Sequence, residues 1–287
     1  MLKCIVLDFD GTLTDVWQES NAFTEGFQAD VQRLCADHQI TPGDFYQQWR
    51  FSEQEIRENP NHFGWIIDGK IAAPAMVDPF VMTGTLCNHV MDSLGVIMDR
   101  NERREATQPL FLSNYRRAEP SFRPDVQETL HALQEIVPHI FIITNSETDA
   151  VTRRLQTLGN GIASHVAVHG HARKFLIGNA PSADFAQIPE TLEMPGLERP
   201  VYLHRGHYLA LLNSLWRAHD VLPEETLVAG DIFEMDLALP AAIQCHVHLM
   251  QHQGTQEHER NAVIKHPRGD TSTTLWELVG RVQAMTH

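Results

Sequence analysis

The chain has 287 residues, 43% of them hydrophobic and 21% charged, a balance that excludes a disordered or fibrous protein. Its 37 acidic and 22 basic residues leave a formal net charge of −15, which disfavours long-range capture of nucleic acid or anionic lipid. Any phosphate-binding site must then supply its own local positive charge.

Cys4, Cys35, Cys87 and Cys245 are far apart and form no C-x-x-C pair, so they read as reduced thiols rather than a disulfide framework. The opening MLKCIVLDFD meets two carboxylates by position 10, which breaks a signal-peptide apolar core. No apolar run approaches the ~18 residues that span a bilayer. The expectation is a soluble, cytoplasmic protein without nucleic-acid or membrane partners.

In chain order, Cys4-Ile5-Val6-Leu7 is a short apolar run ending at Asp8 and reads as a strand buried on both faces. Similar runs follow at 139–143, ending at Thr144, and at 226–229, ending at Gly230-Asp231, with a weaker one at 245–249. Helical periodicity at 126–137 precedes the second run and at 208–219 the third. Alternating helix and strand predicts a parallel sheet wrapped by helices, with ligands at the carboxyl ends of the strands. Asp8, Thr144 and Asp231 all fall at such ends.

Between residues 16 and 119 the pattern is different. Residues 23–34, 44–49 and 82–94 read as helices, with turn signals at Thr41-Pro42-Gly43 and Asn59-Pro60-Asn61. The block is too long for a loop and predicts a mostly helical inserted domain, whose Trp49, Phe63 and Trp65 read as core. The expected division is a core of 1–15 and 120–287 with an inserted domain of 16–119. A stretch at 178–200 reads as a surface insertion.

Asp8 and Asp10 lie two apart, so on a strand they face one side, and two neighbouring carboxylates divide labour when their environments separate them. Taken alone, D-x-D equally describes a strand ending in a solvated acidic turn. Asp231 and Asp236 add carboxylates at another strand end, and oxygen ligands from two strands suit Mg²⁺. Asp231 also reads as a helix cap, and Glu234 competes for the place given to Asp236. Thr144-Asn145-Ser146 offers a hydroxyl and backbone N–H groups to an anion, or a simple N-cap.

Together V6-L7-D8-F9-D10-G11-T12, I142-I143-T144-N145 and G230-D231 followed by Asp236 resemble three motifs of the haloacid dehalogenase (HAD) superfamily, phosphatase branch. The resemblance covers about residues 1–15 and 120–250. It implies an α/β fold, a Rossmann-like doubly wound parallel sheet core with a mostly helical cap inserted after the first strand. It implies Mg²⁺-dependent hydrolysis of a small phosphorylated metabolite, a phosphate monoester. Asp8 would be the nucleophile, forming an aspartyl-phosphate, and Asp10 the acid and base. Thr144, with Asn145, would bind the phosphoryl group. Asp8, the carbonyl of Asp10 and Asp231 would hold the metal, with Asp236 nearby.

The family's third motif, a basic residue beside the nucleophile, has two candidates. Lys174 lies 30 residues after Thr144 and Arg205 lies 26 before Asp231, both family-like spacings. Lys174 is preferred because a compact ammonium suits a crowd of carboxylates. Arg205 then binds substrate or begins a solvated helix. His165, His169 and His171 fit one strand face, as do His246 and His248, without partners at metal-binding spacing. A phosphomutase, or a binding protein that retains the fold, is the alternative, and the second carboxylate, Asp10, disfavours a dehalogenase.

Overall fold

The computed structural model describes residues 1–159, 161–178 and 185–286. Ten strands occur among them: β1 (Cys4–Leu7), β2 (Gly64–Ile67), β3 (Lys70–Pro74), β4 (His139–Ile143), β5 (Ala167–His169), β6 (Thr191–Leu192), β7 (Val201–Tyr202), β8 (Thr226–Gly230), β9 (His246–Met250) and β10 (Gly269–Ser272). Six form one parallel sheet in the order β10-β9-β8-β1-β4-β5. The chain leaves β1 toward β4 and β5 on one side and returns to build β8, β9 and β10 on the other. β1 therefore sits beside the switch in winding direction, where open α/β sheets form their ligand crevice.

Strand residues alternate between faces, and the core divides accordingly. Val6, Phe141, Ile143, Val228 and Val247 pack with the helix Gly206–His219 through Tyr208, Leu212 and Trp216. Ile5, Leu7, Ile140, Ile142 and Leu227 pack with Val126–Ile136, Thr148–Thr157 and Leu275–Thr286 through Leu130, Leu155 and Leu278. Both faces of the central strands are covered by helices, which is why those strands read as unbroken apolar runs. The fold is the doubly wound α/β core that the sequence implies.

The chain divides into two compact units: 1–15, 66–73 and 122–287 in one, 16–65 and 74–121 in the other. In the second, the helices Val16–Asp37, Pro42–Glu58, Pro79–Ser93 and Arg100–Tyr115 enclose a core of Phe23, Phe27, Phe45, Trp49 and Leu86. Thr41-Pro42-Gly43, expected as a turn, is a helix start: Thr41 Oγ1 accepts from Asp44 N at 3.2 Å and proline fits the first helical position. β2 and β3 form a two-stranded sheet within a block that reads as helical.

The expected insertion at 178–200 lies partly outside the described residues, at 179–184. Its later part holds β6, paired antiparallel with β7. No helix among the described residues is long and apolar enough to cross a membrane.

Candidate active site

Asp8 follows β1, and its N–H donates to Ala229 O at 2.8 Å, continuing the sheet register by one residue. The chain then turns sharply. Leu13 N and Thr14 N both donate to Phe9 O, and Gly11 N donates to Thr14 Oγ1 at 3.1 Å. Gly11 has φ +82°, and a Cβ there would collide with the Asp231 carboxylate, so the approach of the two loops requires glycine. Thr12 Oγ1 lies between the acids, 3.5 Å from Asp8 Oδ2 and 3.4 Å from Asp231 Oδ1. Arg123 braces the turn by donating from Nη2 to Gly11 O at 2.7 Å and from Nη1 to Thr273 O at 3.1 Å.

Asp231 follows β8. A π-helical turn, Phe233–Leu237, then carries Asp236 back toward it. Such turns often occur at functional sites. Asp236 Oδ2 accepts from Ile232 N at 3.0 Å. Oxygens of Asp8, Asp231 and Asp236 all lie within 4.8 Å of one another, and all three residues are buried. Glu234, the competing acid, is engaged elsewhere in a bidentate pair with Arg199 at 2.7 and 2.8 Å.

Lys174 enters this cluster. Its Nζ donates to Asp8 Oδ1 at 2.6 Å and to Asp236 Oδ1 at 2.5 Å, with the side chain 2% exposed. Burial alone would lower the ammonium pKa, but Asp236 and Asp8 outweigh it and hold Lys174 well above its ordinary range. Burial pushes the Asp8 carboxyl well above the usual range, Lys174 pulls it down, and Asp236, Asp231 and Asp10 push it further up. Three buried carboxylates against one ammonium leave excess negative charge, and the donor set is all oxygen. Both properties fit a hard divalent cation such as Mg²⁺.

Thr144 follows β4. Its Oγ1 donates to Asp10 Oδ2 at 3.2 Å, and Ser146 Oγ donates to the same oxygen at 2.6 Å. Asn145, expected to contact substrate, turns its Oδ1 to Lys174 N at 2.8 Å.

Arg205 is neither a solvated helix start nor a residue open to substrate. It is fully buried and donates to three carbonyl oxygens: from Nη1 to Lys174 at 2.6 Å, from Nη2 to Ala72 at 2.7 Å, and from Nε to Tyr202 at 3.1 Å.

Ser146, Arg123, Arg154 and His252 were not among the expected site residues. Arg154 Nη1 lies 3.9 Å from Asp10 Oδ1, and His252 Nε2 lies 3.4 Å from Asp231 Oδ2. Of the four only Ser146 sits in a strand-end motif, Thr144-Asn145-Ser146 after β4. The histidines at 165, 169 and 171 do not share a strand. His165 ends the helix Ile162–His165, His169 ends β5, and His171 has φ 53°.

Residues 2–243 match the family of haloacid dehalogenase-like hydrolases, and the chain belongs to that family. No curated protein matches its sequence. Among solved structures it is similar to a predicted phosphoglycolate phosphatase from Haemophilus somnus, at 15% identity and TM-score 0.53 over 98% of both chains. It is also similar to a haloacid dehalogenase-like protein of unknown function from Agrobacterium tumefaciens, at 13% identity and TM-score 0.51 over 100% of both. A 2-haloacid dehalogenase from Pseudomonas syringae aligns at 17% identity and TM-score 0.45, over 99% of this chain and 99% of its own.

Proposed function

We propose that this hydrolase is a Mg²⁺-dependent phosphatase that cleaves a small phosphate monoester through an aspartyl-phosphate on Asp8. The observation that supports the reading best is the meeting of Asp8, Asp231 and Asp236, with Lys174 bridging Asp8 and Asp236 and the second carboxylate, Asp10, two residues from the nucleophile.

Asp8, Asp231 and Asp236 would hold the metal, with the carbonyl of Asp10 as a further donor. The bound ion would neutralise the phosphoryl oxygens and the crowded carboxylates. Lys174 holds one oxygen of Asp8 and fixes the direction of the carboxylate. An oxygen of Asp8 attacks phosphorus as the bond to the ester oxygen breaks, and Asp10 gives its proton to the departing alcohol. Asp10 then takes a proton from water, whose oxygen attacks phosphorus and breaks the Asp8–phosphorus bond, releasing phosphate. Thr144 addresses the transferring group. Residues 16–119 act as the cap that selects a small soluble substrate. Phosphate monoesters need accelerations of up to ~10²¹-fold, and positioning with charge neutralisation is the general route.

The test is phosphate release from a panel of small esters, with and without Mg²⁺, for the native protein and Asp8→Asn. The expected result is Mg²⁺-dependent release abolished by the substitution. Native protein that binds Mg²⁺ and releases halide from a haloacid, but no phosphate, overturns the proposal.

A further inference from the structure

The two oxygens of Asp10 are not equivalent. Oδ2 accepts two hydroxyls, from Ser146 Oγ at 2.6 Å and from Thr144 Oγ1 at 3.2 Å. Oδ1 lies toward Arg154, whose Nη1 is 3.9 Å away. A carboxyl oxygen has two lone pairs, and Oδ2 has both engaged. A proton carried by Asp10 therefore belongs on Oδ1.

The two hydroxyls do not serve equally once a phosphate ester is bound. A hydroxyl has one hydrogen to donate. In the phosphatase reading Thr144 addresses the transferring phosphoryl group, and a hydrogen given there is no longer given to Asp10. Ser146 makes the shorter bond and remains as the donor on Oδ2.

The backbone around Ser146 fixes its position. Ser146 N–H donates to Thr144 Oγ1 at 3.0 Å, and its carbonyl accepts from His171 N at 2.9 Å. Ala172 N donates to Thr144 O at 2.9 Å, so residues 170–172 run against residues 144–148. The approach is close enough that a Cβ on Gly170 would sit 2.5 Å from Ser146 O and 2.4 Å from Thr148 N. The same segment leads into Lys174, whose N–H donates to Asn145 Oδ1 at 2.8 Å. One loop thus delivers the lysine to Asp8 and braces the serine against Asp10.

We propose that Ser146 is the positioning residue of the acid. It holds Asp10 Oδ2 while Thr144 turns to the phosphoryl group, and so directs Oδ1 and its proton at the departing oxygen. The proposal rests on the phosphatase reading. In the step it serves, an Asp8 oxygen bonds to phosphorus as the bond from phosphorus to the ester oxygen breaks. The proton on Asp10 Oδ1 passes to that ester oxygen, and Asp10 is left ionised.

The experiment reads this first step alone. With enzyme in excess and Mg²⁺ present, alcohol release is followed through a single turnover. The substrates are an alkyl phosphate, the best of the ester panel, and 4-nitrophenyl phosphate, whose nitrophenolate leaves without a proton. The proteins are native, Ser146→Ala, Ser146→Thr, Asp10→Asn and the Ser146→Ala, Asp10→Asn double variant. General acid catalysis contributes about 10²–10⁴-fold, and Ser146→Ala keeps the acid but frees its orientation. Alcohol release from the alkyl ester should then slow by about 10- to 100-fold, and nitrophenolate release by less than about threefold. Ser146→Thr keeps the hydroxyl and should recover most of the loss. In the Asp10→Asn background, Ser146→Ala should cost nothing further, because it acts only through the acid. Unchanged release in Ser146→Ala overturns the proposal. Equal slowing of the two esters, or a further loss in the double variant, also overturns it and makes Ser146 a phosphoryl contact or a general prop. Native protein that releases no alcohol from any ester overturns the phosphatase reading itself.

Discussion

Arg205 donates from Nη1 to the carbonyl oxygen of Lys174 at 2.6 Å, so the two basic residues that competed for one role lie one behind the other. Asn145 Oδ1 takes the Lys174 N–H at 2.8 Å, and the peptide groups on both sides of Lys174 are thereby clamped. Burial lowers the Arg205 pKa to about 10, which still leaves it charged at neutral pH. Replacing it by Gln would strand the carbonyls of Lys174, Ala72 and Tyr202 in the interior. Arg205→Gln should lower the unfolding free energy by about 3–5 kcal/mol, measured by urea denaturation. Unchanged stability with a raised KM would instead make Arg205 a substrate contact.

Lys174→Gln should act differently. The substitution leaves Asp8 and Asp236 facing each other without the ammonium that spans them. With a preorganised charge removed, kcat should fall by roughly 10²–10³, while Mg²⁺ binding measured by calorimetry should persist. Retention of native kcat would show that the lysine only balances charge in the metal-free protein.

The central strands were legible because burial on both faces leaves apolar runs: β1, β4, β8 and β9 each appear in the sequence within a residue of their observed ends. β5 and β10 were not. Ala167–His169 is three residues long and Gly269–Ser272 carries no large apolar side chain, so these edge strands owe their form to the neighbours they pair with. In the candidate site, Asp8, Asp231 and Asp236 are read from strand ends and Lys174 from the resemblance to the family's third motif, and the four side chains lie together in the structure. Arg205 misled because spacing records distance along the chain and not direction: its side chain turns inward to backbone carbonyls. Arg123, Arg154 and His252 belong to a loop, a helix and a turn that carry no catalytic motif; the helix Thr148–Thr157 shows its period in the buried Val151 and Leu155, which says nothing of where Arg154 points. Only the fold brings them to the acids.

His252 leads to a prediction about the metal. Gly254 N–H donates to its Nδ1 at 2.9 Å, so in the neutral ring the proton resides on Nε2, which lies 3.4 Å from Asp231 Oδ2. Partners of this kind orient the carboxylates that ligate metals, and their loss typically weakens metal affinity 10- to 100-fold. His252→Ala should raise the Mg²⁺ dissociation constant by that factor, measured by calorimetry without substrate. An unchanged constant would leave Thr12, 3.4 Å from Asp231 Oδ1, as the residue that orients this acid.

His248 should give the protein an acid-sensitive core. It sits on β9 at 1% exposure with Nε2 2.7 Å from Ser272 Oγ. Burial lowers its pKa to about 4; Asp270 and Glu277 oppose this and Arg281 reinforces it. The folded state therefore holds the ring neutral, while the unfolded chain takes up a proton below its ordinary pKa of 6.5. A depressed pKa in a base leaves stability intact above pH 6.5 and removes it progressively as pH falls toward 4. The loss is about 1.4 kcal/mol per pH unit, or about 2 kcal/mol between pH 6.5 and 5. Urea denaturation at pH 7 and pH 5 should show this decrement in the native protein and a smaller one in His248→Gln, which cannot titrate. Equal decrements in the two proteins would mean that the acid sensitivity arises elsewhere, with His258, lowered to about 4 mainly by burial, the next group to replace.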